Sequence, residues 1–134
     1  MSRSKDRPQS TGGPNIETHE VLDVDVLHDL LASLAQPAAV AAVYRKFVAN
    51  AEDFIESLAT QQGAAFGDTL HTLKGSAAML GARCLAQRAA CLQAQSESSV
   101  VQVEQAIEQL TTELTKFREA LASQLSALGE SPDP

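Results

Sequence analysis

The chain has 134 residues, a formal net charge of −7 and a pI near 4.8; 44% of it is apolar and only 4% aromatic, with no Trp. That length gives room for one small domain with one core, and the acidic balance lacks the basic face needed to neutralise a nucleic-acid backbone, which excludes DNA and RNA as partners. An apolar set dominated by Ala, Leu and Val favours closely packed helices over a β-sandwich, so the predicted class is all-α.

Residues 1–20 mix Pro, Gly, Ser and charge without periodicity, the composition of a disordered tail or interdomain linker. A first helix is expected to start at Asp23 or Asp25 as N-cap and to carry Val26, Leu27, Leu30, Leu31 and Leu34 before Pro37 interrupts it. A second starts near Pro37, a residue tolerated in a first helical turn, and carries Val40, Val43, Tyr44, Phe47, Ala51, Phe54, Ile55 and Leu58 at helical spacing. Gln61, Gln62 and Gly63 break the pattern. A third helix then runs to about Leu80, with Phe66, Leu70, Leu73, Ala77 and Leu80 on one face and Gly81 ending it or opening a short turn. A fourth spans about Ala82 to Gln95 and buries Cys84 or Leu85, Ala89 and Leu92, after which Ser96 to Ser99 read as a polar connection. In the last and longest helix, Val103, Ile107, Leu110, Leu114, Phe117, Leu121, Leu125 and Leu128 form a continuous apolar stripe. Residues 129–134 are a polar tail. Short connections between neighbours predict an up-down antiparallel four-helix bundle with an additional N-terminal capping helix, the domain occupying residues 21–128.

Within the third helix His71 falls on the flank, off the apolar face. Residues at helical spacings share a surface, and the strip taken around His71 comprises Ala64, Gly67, Lys74, Gly75, Ala78 and Ala82. Apart from the lysine all are small. Glycine inside a helix costs roughly 1 kcal/mol relative to alanine, so Gly75 calls for a reason, and close approach of another molecule to the imidazole supplies one. Lys74, one turn on, can place a mobile point charge beside an anion attached to the ring. An imidazole, with a reference pKa of about 6.5, offers an unprotonated nitrogen near neutral pH. A nucleophile, a cation and a bare surface together suit phosphoryl transfer.

The segment His71-x-Leu73-Lys74-Gly75-Ser76-x-x-x-Leu80-Gly81-Ala82 resembles the phosphoacceptor motif of histidine-containing phosphotransfer (HPt) domains, the relay modules of multistep two-component signalling. Leu22-Asp23-x-x-x-Leu27-x-x-Leu30 resembles the family's opening helix and Tyr44-Arg-Lys-Phe47-Val48 its second, while Gln93 stands where the family carries a Gln or Glu near the active histidine. The resemblance implies a phosphorelay intermediate that accepts and donates a phosphoryl group on His71 in exchange with receiver-domain aspartates. Lys74 would be the local cation and Gln93 an orienting hydrogen-bond partner, with Ala64, Gly67, Gly75, Ala78 and Ala82 forming the docking surface. It also implies a phosphotransfer module without an ATP site or cofactor of its own, Mg²⁺ being expected on the partner receiver. With no apolar run long enough to span a membrane and no unexplained apolar face, the chain is expected to be a cytoplasmic monomer, either free-standing or, given the linker-like residues 1–20, the C-terminal part of a hybrid sensor histidine kinase.

Two other readings compete. A helical adaptor that binds a signalling partner without phosphate would have no use for the His71, Lys74 and Gly75 trio. A metal or redox carrier would need inward Glu-x-x-His pairs that the sequence lacks. Cys84 and Cys91, seven apart and unaccompanied by a Cys-x-x-Cys, read as two small buried hydrophobes. His19 in the tail and His28 on the first helix are read without a catalytic role, and Ser76, pointing away from the histidine strip, as a helix-packing residue. No run approaches the ~18 consecutive apolar residues that span a bilayer, and no signal-peptide h-region is present.

Overall fold

The computed structural model describes residues 21–98 and 102–131. Five helices lie in this part of the chain: α1 (Val24–Leu34), α2 (Pro37–Ser57), α3 (Ala64–Met79), α4 (Arg83–Ser98) and α5 (Val103–Ser126), with a 3₁₀ turn (Leu58–Thr60) after α2. The described residues contain no strand. The expected tail at residues 1–20, with His19, lies outside the described residues, as do Ser99 and residues 132–134.

The helix ends follow from local chemistry. Asp23 caps α1, its Oδ1 accepting the Asp25 N–H at 3.0 Å. The same helix ends on Ala35 at φ 59°, whose N–H bonds Leu31 O at 2.9 Å, and Pro37 then opens α2. Gly63, at φ 59° and ψ −132°, precedes α3, a conformation open to glycine and costly for other residues.

Helices α2, α3, α4 and α5 close a ring of contacts in which α2 packs on α3 and α5, and α4 packs on α3 and α5; α1 lies against α2. One core joins them, built from Leu22 and Leu27, then Val40, Tyr44, Phe47, Ala51 and Ile55 of α2, Leu70, Leu73 and Ala77 of α3, Leu85 and Ala89 of α4, and Leu110, Phe117 and Leu121 of α5. At the α2–α5 seam, Phe47 meets Phe117 edge-on with ring centroids 5.5 Å apart, and Tyr44 lies 6.1 Å from the same ring, arrangements worth about 0.5–1.5 kcal/mol each beyond burial. Among the described residues no helix is long and apolar enough to cross a membrane.

Three expectations are corrected. Helix α4 runs on to Ser98, so Ser96 is helical rather than part of a connection; its hydroxyl is accommodated by donating back to Gln93 O at 2.7 Å. The cysteines are not core residues: Leu85, Ala89 and Leu92 take the buried face of α4, leaving Cys84 half-buried and Cys91 exposed. Leu34 and Val43, expected on apolar faces, are 40% and 37% exposed. The polar tail is held at least as far as Ser131, whose carbonyl accepts Arg45 Nη1 at 3.0 Å.

Candidate functional site

Helix α3 is clamped at both ends, which fixes the direction in which its flank points. At the start, Thr69 Oγ1 donates to Gln61 Oε1 at 2.6 Å. At the end, Ala82 N–H reaches Ala77 O at 2.9 Å and Gly81 N–H reaches Ala78 O at 3.3 Å, the paired bonds that stop a helix at a left-handed residue. Gly81 supplies that conformation at φ +81°. Two distant residues lock the turn: the Asp23 N–H donates to Gly81 O at 2.8 Å, and the Tyr44 hydroxyl donates to Leu80 O at 3.1 Å. Burial, and then the nearby Asp23 carboxylate, pushes the Tyr44 hydroxyl up to about 12, so it remains a donor at any physiological pH. Neither Tyr44 nor Asp23 carries a site signal in the sequence, because their partner at residues 80–81 is brought to them only by the fold.

Between these clamps Phe66, Leu70, Leu73 and Ala77 are buried, while His71 is exposed on the flank, as the spacing predicts. Among the described residues no hydrogen bond engages either ring nitrogen of His71, so both remain available. Lys74 is half-buried one turn on and makes no ion pair among the described residues, which leaves its ammonium available to an anion on the ring. Gly75 is exposed, and a Cβ placed there would meet nothing within 4 Å. No neighbouring helix therefore requires a glycine at this position. Ala64 and Ala78 are exposed on the same side.

Gly67 faces α4: a Cβ on it would lie 3.9 Å from Ser96 Oγ, near the far end of α4. The α3–α4 connection lies at the opposite end of α3, so the two helices run antiparallel. One turn along α3 from Gly67 stands His71, and one turn back along α4 from Ser96 lie Leu92 and Gln93, at matching height. Leu92 is in the core, and the half-buried Gln93 occupies the flank of α4 beside it. Gln93 thus belongs to the same level of the bundle as His71. Ser76 is half-buried on the other flank.

Ala82 departs from expectation. It is fully buried, because the chain turns at Gly81 and the strip of α3 does not continue through it; Ala82 belongs to the core and to the helix stop. His28 is exposed on α1, in a different element. Among the described residues no group of three or more His, Cys, Asp or Glu side chains is placed to hold a metal ion.

An exposed imidazole with free ring nitrogens, a mobile cation one turn away and an open glycine face can accept a bulky anionic group from a second macromolecule. The family model of the Hpt domain matches residues 42–128, more than half of the chain. No curated protein and no solved structure gives a significant match. The chain therefore belongs to the Hpt domain family, the histidine phosphotransfer modules of two-component signalling.

Proposed function

We propose that this chain is a phosphorelay intermediate in which His71 is the phosphoacceptor. The unprotonated ring nitrogen attacks the phosphorus of a receiver's aspartyl phosphate. A P–N bond forms as the acyl P–O bond breaks, the aspartate leaves as a carboxylate, and the proton on the other ring nitrogen stays in place. Donation to a second receiver is the same step reversed. Such transfer is driven by positioning and by charge on the transferring oxygens. Lys74 contributes a cation to those oxygens, and Gln93, at the height of His71, orients the ring or the phosphoryl group by hydrogen bonding. Ala64, Gly75 and Ala78 form the low surface over which the receiver docks, with the half-buried Gly67 at its edge against α4. The receiver brings the acidic residues and Mg²⁺, so this module works without an ATP site or cofactor of its own.

The closed ring of α2 to α5 contacts, with α1 on α2, supports an up-down antiparallel four-helix bundle with a capping helix. Core positions from Val21 to Leu125 and the half-buried Leu128 support a domain over residues 21–128. The compartment is the cytoplasm, where receiver domains and their kinases meet, and the module acts as a monomer that presents one face to each partner in turn.

The observation that carries this reading is the open space at Gly75 beside an exposed, unengaged His71. A pure adaptor offers no reason for a helix-weakening glycine at a place where nothing packs. The test is transfer of radiolabelled phosphoryl from phosphorylated receiver domains to the wild-type chain and to His71→Gln. Labelling of the wild type alone, with identical helical content in both, is expected; equal labelling of the variant contradicts the assignment.

A further inference from the structure

Met79 stands out on the exposed surface. It is 78% exposed, about twice as much as the next exposed large apolar residues among those described, Leu34 at 40% and Val43 at 37%. It also shares a ridge with the site. Residues four apart stack along a helix surface, so His71, Gly75 and Met79 form one row of α3, with Ala78 beside it. At 1.5 Å per residue Met79 lies about 12 Å beyond His71 along the axis. A specific protein interface of standard size covers about 800 Å² on each partner, a disc of about 16 Å radius. A protein seated over His71, with the bare Gly75 between, therefore reaches Met79.

We infer that Met79 is the apolar anchor of the docking surface and a determinant of which receivers this module accepts. The inference rests on the reading of His71 as phosphoacceptor. The occupant is a receiver domain, because continuity with the His71 strip makes any protein that reaches the histidine over Gly75 also cover Met79. A flexible, polarisable thioether fills irregular apolar pockets and adapts to more than one of them, which suits a module that must meet a donor and an acceptor receiver in turn. The exposed positions around it, Thr72, Gly75 and Ala78, are small or polar, so the row offers no other large apolar side chain. The matching receiver surface is an apolar depression beside its aspartate site.

The experiment compares the wild type with Met79→Gln and Met79→Leu, both residues being good helix formers, in two assays. The first is labelling of His71 by phosphoramidate, a small donor that needs no docking surface. The second is steady-state transfer from a panel of phosphorylated receiver domains. Met79→Gln is expected to raise KM for the receiver about tenfold, equivalent to about 1.4 kcal/mol, with kcat and phosphoramidate labelling unchanged. Met79→Leu is expected to restore KM for some receivers and not others. Unchanged KM in Met79→Gln across the panel overturns the anchor while leaving the phosphoacceptor assignment intact. Failure of the wild type to be labelled by phosphoramidate or by any receiver overturns both.

Discussion

The same substitution, glycine to alanine, is expected to have opposite effects at two positions only six residues apart. At Gly81 the backbone sits at φ +81°, and a Cβ would lie 3.0 Å from both Asp23 Cβ and Asp23 O and 3.3 Å from Asp23 N. Two of these contacts are with backbone, which cannot swing aside. Alanine in the left-handed region costs about 1–2 kcal/mol. Pushing Asp23 away weakens the 2.8 Å bond from its N–H to Gly81 O, worth about 1 kcal/mol net, and disturbs a capping residue worth a similar amount. Gly81→Ala is therefore expected to destabilise the domain by about 2–4 kcal/mol, a large share of the roughly 5–15 kcal/mol typical of a small domain, and to lower Tm by about 10 °C or more. At Gly75 the backbone is helical and nothing lies within 4 Å of a Cβ, so Gly75→Ala should gain about 1 kcal/mol from helix propensity alone. Urea unfolding followed by circular dichroism measures both. A Gly81→Ala variant within about 0.5 kcal/mol of wild type would refute the role assigned to the Asp23–Gly81 contact, given the size of the expected loss. Loss of stability in Gly75→Ala would mean that the glycine is needed for packing after all.

Tyr44→Phe removes the 3.1 Å bond to Leu80 O and should cost about 1 kcal/mol at neutral pH. Because the hydroxyl pKa is raised from 10.0 to about 12 in the fold, the neutral form is favoured by folding. Its stabilisation is complete below pH 10 and lost as pH rises through about 12, so the stability gap between wild type and Tyr44→Phe should shrink over that window; a gap that does not change with pH contradicts the assignment. Gly75→Gln should slow transfer from a receiver strongly while circular-dichroism melting stays at or above wild type, and a joint fall of the two would count against an access role. Lys74→Ala should lower the transfer rate or shorten the lifetime of the phosphorylated form, with Lys74→Arg intermediate and the difference smaller at high salt. Identical decay and transfer in all three chains would leave Lys74 as an ordinary surface residue.

The sequence makes the helices legible because punctuation and periodicity agree. Asp23, Pro37, Gly63 and Gly81 stand at helix boundaries, and the stripe from Leu110 through Phe117 to Leu125 is buried as its spacing requires. The flank position of His71 is legible for the same reason, since Phe66, Leu70, Leu73 and Ala77 define the buried face opposite. Helix α4 is harder to read. Its Ala, Cys and Leu residues fit more than one inward face, so the choice between Cys84 and Leu85 falls to packing, and Ser96 looks like a loop residue until its hydroxyl is seen bonded to the preceding turn. Ala82 misleads because a helical wheel carried past Gly81 treats a turned chain as a continuing helix. The clamp of Asp23 and Tyr44 on the α3–α4 turn joins residues far apart in sequence, and no local pattern encodes it. Met79 is hidden among filler residues of the motif until its exposure is known.

The measurement that bears most directly on His71 as phosphoacceptor is chemical and positional mapping of the phosphoryl group on the wild-type chain after exchange with a phosphorylated receiver. Phosphorus attached to a ring nitrogen is lost in acid and survives in alkali, whereas a phosphoserine or phosphothreonine survives acid. The account predicts an acid-labile, alkali-stable label that tandem mass spectrometry places on His71, and that is discharged when fresh unphosphorylated receiver is added. An acid-stable label, or one on Ser76, Thr72 or His28, would contradict it.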